Sequence, residues 1–219
     1  MQVFPVFLHL AGRSCLVVGG GPVGCAKASR LAEAGAQVVI VEPHPRGELT
    51  DLEAALAAVV VRTRAFVEAD CDGQALVFAC TGDPDVNAAV AVAAQSRGVL
   101  ACRADAAEAG DFSTGATLRR GEVCVAVSSG GASPHLAVAA RDRIEPVVGE
   151  EFAEAAQLLG GLRQEVKVIV KDCAERREAL GAKLAAKVLQ LLGAGRAVEA
   201  RQVVESARRA ALEEGPCTQ

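Results

Sequence analysis

The stretch that most constrains this chain is CLVVGGGPVGCAKASRLAEAGAQVVIVEP, residues 15–43. An apolar run meets three consecutive glycines, and a helical apolar pattern follows at once. The spacing predicts a buried strand over Ser14 to Val18 and a helix that opens at Pro22 and stops near Gly35. Proline suits a first helical position, where its missing N–H would have no partner anyway. Gly19, Gly21 and Gly24 form G-x-G-x-x-G. In such a loop the first glycine allows the tight turn and the second lets the backbone approach a pyrophosphate. The third brings helix and strand together. Phosphates would then meet the free N–H groups and positive dipole end of the helix. A β-rich run from Gln37 to Val41 ends at Glu42, where a carboxylate bonds the ribose hydroxyls of NAD and repels the 2′-phosphate of NADP. A lone glycine motif is weak. With a strand before it, a helix after it and Glu42 beyond, it makes NAD the expected cofactor.

The following segments keep the same rhythm. ELTDLEAALAA reads as helix, VVVRT and ALVFAC as strands, and VLACRAD as a fifth strand. Between the last two, Asp83 can cap a helix with Pro84 at its first position. Strands alternating with helices of this length imply an α/β fold, a Rossmann-type doubly wound parallel sheet. The pattern changes after Phe112. GATLRRGEVCVAVSSGG holds two β-rich runs around Arg120 and Gly121, a hairpin or a pair of strands outside the main sheet. Ser133 then caps a helix opened by Pro134, and from Glu150 onward the chain is helical and charged. The division expected is a nucleotide-binding domain over 1–113, a β-rich segment over 114–149 and a helical domain over 150–219. EEGPCTQ reads as a frayed tail.

Composition narrows the chemistry. Hydrophobic residues make up 51% of the 219, aromatics only 3%, with no Trp and no Tyr. An aliphatic core of parallel strands under Ala-rich helices fits that balance. Without Tyr, a Tyr-x-x-x-Lys dehydrogenase site is excluded. None of His9, His44 and His135 sits where a 2-hydroxy-acid dehydrogenase places its His–Asp pair. A net charge of −4 argues against a nucleic-acid partner. The eight cysteines form no C-x-x-C pair and several lie in strand-like runs, so they read as buried thiols in a reducing compartment, with no metal site expected. MQVFPVFLHLAG lacks a basic leader region and reads as part of the fold. No run approaches the roughly 18 apolar residues of a membrane span. The expected location is the cytoplasm, away from any membrane.

Three longer stretches carry a family likeness: FPVFLHLAGRSCLVVGGGPVGCAKASRLAEAGAQVVIV, ACTGDPDVNAAV, and ADAAEAGDFSTGATLRRGEVCVAVSSGGASPHLAVAARDRIE. Over about residues 3 to 148, in order, the chain resembles the precorrin-2 dehydrogenase family, with its sirohydrochlorin ferrochelatase members and the N-terminal part of sirohaem synthase. The Ser-Ser-Gly-Gly-x-Ser-Pro run is its most specific piece. The resemblance implies a Rossmann domain over 1–113, a dimerisation segment with a substrate-facing loop over 114–149 and a small helical domain over 150–219. It also implies a homodimer that uses NAD to oxidise precorrin-2 to sirohydrochlorin, some members also inserting ferrous iron. The family's key aspartate falls on Asp105. The chain departs from the family pattern there, with DAAEAG in place of a proline-bearing D-x-P.

The residues agree on their own terms. Asp105 directly follows a strand, at the carboxyl edge where open α/β sheets bind ligands. Oxidising a reduced tetrapyrrole removes a hydride and a proton, so a carboxylate base has work there. The expected cofactor contacts are Gly19, Gly21, Pro22, Val23 and Gly24, with Glu42, Pro43 and Thr81. A polycarboxylate substrate calls for local positive charge, to which Arg103, Arg119, Arg120, Arg141 and Arg143 are candidates. Arg120 and Arg141, with the backbone and hydroxyls of Ser128, Ser129, Gly130, Gly131 and Ser133, are the substrate-binding set. The rival reading is a non-enzymatic NAD-sensing module, which needs the glycine loop and Glu42 but neither Asp105 nor SSGGASP.

Overall fold

In the computed structural model residues 3–169 and 181–213 are described. They fall into two compact units, one ending at Thr114 and the other starting at Gly115.

The first unit is a five-stranded parallel sheet in the order β3-β2-β1-β4-β5. Its strands are β1 (Ser14–Val18), β2 (Gln37–Val41), β3 (Val59–Arg62), β4 (Leu76–Ala79) and β5 (Leu100–Arg103). The helices are α1 (Pro22–Glu33), α2 (Gly47–Ala55) and α3 (Pro84–Gln95). Side chains alternate across β1. Cys15 and Val17 pack with Ala28 and Leu31 of α1 and Leu49 of α2. Leu16 and Val18 pack with Val90, Ala91 and Ala94 of α3. Helices therefore cover both faces, which is why the strand reads as an unbroken apolar run and not as an alternating one. Phe78 of β4 meets Phe112 edge to face, with ring centroids 5.3 Å apart.

Helix boundaries follow the sequence chemistry. Asp83 accepts from the N–H groups of Asp85 and Val86 at the start of α3, with Pro84 first. After α1, Gly35 takes a φ of +81°, the left-handed conformation that ends a helix at little cost to glycine. From β1 the chain passes to β2 on one side and later to β4 on the other. The strand order reverses there, and a crevice opens beyond the carboxyl ends of β1 and β4.

The second unit starts with an antiparallel hairpin of β6 (Ala116–Arg120) and β7 (Val123–Val127), turning at Gly121. Helix α4 (Pro134–Ile144) follows, its first turn capped by the Ser133 hydroxyl, which accepts from Leu136 N–H. Helices α5 (Glu151–Ile169), α6 (Ala182–Gly193) and α7 (Ala197–Glu213) share a core of Leu162, Val166, Leu184, Val188, Leu191, Ala200 and Val204.

The opening segment joins the fold less fully than expected. Leu10 is buried, while Phe4, Val6 and Phe7 are exposed, Phe4 at 87%. Cys15, Cys80 and Cys102 are buried free thiols, as their apolar runs imply, whereas Cys71 is buried between two aspartates and Cys124, in a strand, is only half-buried. Cys173, Cys217 and residues 214–219 of the expected tail lie outside the described residues. Among the described residues no helix is long and apolar enough to cross a membrane.

Candidate functional site

The glycine loop is shaped by three different close approaches. Gly19 has a φ of +104°, and a Cβ there would lie 2.7 Å from the Cys80 carbonyl group, so the loop presses against the end of β4. At Gly24 a Cβ would come 1.9 Å from the Gly19 carbonyl oxygen, so only a hydrogen lets α1 seat on the turn. Gly20 carries no role in the sequence motif, yet a Cβ there would meet Leu49 Cδ2 at 2.4 Å and Glu42 Cγ at 3.0 Å. Gly21 differs from all three. It is the residue before α1, and a Cβ there meets nothing within 4 Å.

That open side is the floor of a cleft of about 1040 Å³, at the top of the ~300–1,000 Å³ range of ligand sites. Gly19, Gly20, Gly21 and Pro22 line one wall, Glu42, Pro43, His44 and Arg46 another, and Phe66, Thr81 and Val86 close it. No side chain caps the first turn of α1, so its N–H groups and dipole remain available to an anion. The room above Gly21 and the uncapped helix start fit the pyrophosphate of a dinucleotide.

Glu42 is engaged on both oxygens. Oε2 accepts from Gly20 N–H at 2.8 Å and Oε1 from His44 N–H at 2.9 Å. Each oxygen keeps a further lone pair, so the carboxylate can accept ribose hydroxyls while it steadies the loop. Thr81 is held by a residue that the motif reading did not single out. Asn87, fully buried in α3, accepts from Thr81 N–H at 3.0 Å and donates to the Thr81 carbonyl at 3.1 Å. Its only sequence signal is a polar side chain on a helix face otherwise made of Val and Ala.

Six of the expected cofactor contacts thus line one cleft: Gly19, Gly21, Pro22, Glu42, Pro43 and Thr81. Two do not. Val23 is half-exposed on a shallow groove with Ala26, Lys27 and Arg30, and Gly24 is buried under the loop.

Asp105 lies just past β5. Its Oδ2 accepts from Arg103 Nη2 at 2.6 Å and its Oδ1 from Arg103 Nε at 3.3 Å, a two-pronged pair. This guanidinium holds the carboxyl below the ordinary aspartate range, against a smaller opposing effect of burial and with help from the Asn87 amide. Arg103 is therefore committed to Asp105 and is not a free charge. The thiols nearby are not nucleophiles: burial pushes Cys80 up to about 12 and Cys102 upward as well. Lys27, on α1, bonds the Thr114 hydroxyl.

In the second unit the loop from Ser128 to Ser133 folds on itself. Gly130 and Gly131 take φ values of +64° and +88°. Gly130 N–H donates to the Ser128 hydroxyl at 3.1 Å, and Ser133 N–H to the Ser129 hydroxyl at 3.0 Å. Ala132 N–H donates to the Ser129 carbonyl. Three backbone donors of the expected anion cradle are thus satisfied within the loop. Arg120 pairs with Glu145 at 3.1 Å and Glu150 at 3.2 Å, and Arg141 with Asp142.

The family model described as "Putative NAD(P)-binding" matches residues 6–116, just over half of the chain. The chain belongs to this NAD(P)-binding family. It is 38% identical over 213 residues to a siroheme synthase of Thioalkalivibrio sulfidiphilus, covering 97% of this chain and 43% of that protein. To a siroheme synthase of Methylococcus capsulatus it is 37% identical over 217 residues, 99% of this chain and 46% of that protein. The chain spans less than half the length of these curated relatives. A solved structure titled "SirC, precorrin-2 dehydrogenase" superposes with a TM-score of 0.65 over 94% of this chain and all of that one, at 22% identity. That likeness shows a shared fold: Rossmann sheet, hairpin and terminal helices. The family resemblance read from the sequence stands.

Proposed function

We propose that this chain binds NAD and dehydrogenates precorrin-2 to sirohydrochlorin. The observation that carries the reading is the cleft of glycine loop and Glu42 with Asp105 two residues beyond β5, in a chain nearly all of which aligns with less than half of each siroheme synthase. When bound, NAD supplies the hydride acceptor. The chain's own residues do the rest. Gly19 to Pro22 and the start of α1 hold the pyrophosphate, Glu42 orients the ribose, and Asn87 fixes Thr81 on the cleft wall. Two hydrogens leave the substrate, one as hydride and one as a proton, and the Asp105 carboxylate takes the proton. Ser128, Ser129, Gly130, Gly131, Ser133, Arg120 and Arg141 form the surface offered to the substrate's carboxylates.

The same carboxylate is the group that would accept pyrrole protons if ferrous iron enters sirohydrochlorin as a second substrate. The working form is a homodimer in the cytoplasm.

The test mixes protein, NAD and precorrin-2 and follows the conversion spectrum and NADH together. Stoichiometric NADH and sirohydrochlorin are expected, with NAD preferred to NADP. In Asp105→Asn, oxidation should fall at least about 100-fold, the usual loss of a general base, with NADH affinity kept. NADH binding without any oxidation in the parent protein would favour a sensing module. Full activity in the Asn variant would remove Asp105 from the chemistry.

A further inference from the structure

Arg103 is the partner of the proposed base, and neither residue is among those lining the nucleotide cleft. The Arg103 backbone is in register with Ala79, at the end of β4, and Ala104 N–H donates to the Ala79 carbonyl. The guanidinium then reaches across to the start of α3, where Nη2 donates to the Pro84 carbonyl at 3.4 Å. Its side chain is only 14% exposed, so the charge is held in place and not waving in solvent. The groups around this pair are few. Asn87 of α3 faces the Asp105 carboxylate, Glu108 from the following turn faces Arg103, and Lys27 of α1 faces the Cys80 and Cys102 thiols beneath.

This arrangement conflicts with the work asked of Asp105. A carboxylate gripped by two guanidinium N–H donors is a weak proton acceptor, because protonation would break both bonds. Yet the same guanidinium suits a substrate rich in carboxylates, since its planar fork fits any carboxylate equally well. The two requirements are reconciled if one carboxylate replaces the other.

We propose that Arg103 is a carboxylate-exchange residue: it grips Asp105 before substrate arrives and transfers to a substrate carboxylate, which frees Asp105 to take the proton. The inference rests on the dehydrogenase reading above. It makes basicity conditional on a correctly seated substrate. It makes Arg103 a residue that touches substrate and sets the protonation of its neighbour. No oxidant beyond NAD enters. The substrate loses one hydride and one proton, and Asp105 goes from carboxylate to neutral acid.

The experiment uses the full chain labelled with 13C-aspartate, the Asp105 carboxyl signal being assigned by its loss in Asp105→Asn. Its titration is followed with and without sirohydrochlorin under anaerobic conditions and without NAD, so that no turnover occurs. The midpoint is expected to rise when sirohydrochlorin binds. In Arg103→Gln it should already be high without ligand and should not rise further, and sirohydrochlorin affinity should fall about tenfold, the cost of a charge-assisted pair. A fold-only role for Arg103 would leave the midpoint insensitive to sirohydrochlorin in the parent protein, and that result overturns the exchange. An Arg103→Gln chain that fails to fold leaves this parent measurement decisive. If the parent chain neither binds sirohydrochlorin nor oxidises precorrin-2, the dehydrogenase reading itself falls, and the exchange with it.

Discussion

At Gly24 a Cβ would lie 1.9 Å from a backbone oxygen, whereas at Gly21 it would meet nothing. Two glycines of one motif therefore stand in different surroundings, one packed against backbone and one open to the cleft. Gly24→Ala should lower the melting temperature and NADH affinity together, because α1 must lift off the turn. Gly21→Asp should leave the melting temperature near the parent's and abolish NADH binding, since the new carboxylate fills and repels the pyrophosphate position. NADH fluorescence reads this cleanly in a chain with no Trp or Tyr. A Gly21→Asp variant that binds NADH normally would dismiss the phosphate cradle. Glu42 admits a finer substitution. Glu42→Gln keeps an acceptor for one of the two backbone N–H groups and removes the charge. It should narrow the preference for NAD over NADP roughly five- to tenfold, the size of a ~1 kcal/mol charge–charge repulsion in a solvated cleft. Unaltered preference would mean that the 2′ position lies elsewhere. The place of these residues in one cleft was legible because glycine and a strand-end carboxylate have few other reasons to stand there. Gly20 and Asn87 were not legible, and Arg103 was legible as a charge but not as the partner of Asp105. Their partners, Leu49, Thr81 and Asp105, are fixed by folded geometry and leave little or no mark in local spacing.

Among the elements, the short helical turn Glu68–Cys71 shows how a polar residue can anchor the sheet's edge. Asp70 is buried there and accepts from Arg64 Nη1 at 2.7 Å, Arg62 Nη1 at 3.0 Å and Val67 N–H at 3.0 Å. Arg62 closes β3, so the pair ties the turn to the strand. The Arg64 guanidinium is the main influence, and despite burial it holds Asp70 below the ordinary carboxylate range. A folded value below the unfolded one means stability present above about pH 4, the unfolded carboxylate range, and lost as pH falls below it. Asp70→Asn should remove that acid slope in urea melts recorded between neutral and acid pH. At neutral pH Asp70→Ala should cost about 1–3 kcal/mol, since the bonds from Arg62, Arg64 and Val67 N–H to the buried carboxylate are all lost. An unchanged acid slope in Asp70→Asn would assign the slope to other carboxylates. The secondary structure itself was largely legible. Asp83-Pro84 and Ser133-Pro134 each announce a helix start, and the structure has both caps. The turn around Asp70 was not announced, because EADC has neither period nor punctuation.

For the molecule as a whole, the surfaces left over by each unit bear on assembly. A two-stranded sheet is marginal alone and needs both a covered face and a neighbour. On the hairpin, Leu118 stands opposite Val125, Ala116 opposite Val127 and Arg120 opposite Val123, so these six side chains share one face. Leu118 is buried, but Val123, Val125 and Val127 are only partly covered within the described residues. The other face carries Thr117, Arg119, Cys124 and Ala126, which is polar enough to meet water. The sequence showed the valine alternation, and the structure adds that α4 and α5 pack against the hairpin without closing over the valines. Elsewhere, Phe4, Val6 and Phe7 stand exposed in the opening segment. Apolar side chains at such density are uncommon on a lone soluble chain and are typical of surfaces that meet a copy. The expected outcome is a dimer by light scattering at micromolar protein. Phe4→Ser with Phe7→Ser, which touches no core residue, should keep the melting temperature at high dilution and shift the mass toward the monomer if that segment reaches the partner. A monomeric parent mass would refute the dimer outright. A parent dimer unmoved by the two serines would instead confine the contact to the second unit, where the half-covered valines are the surface that remains.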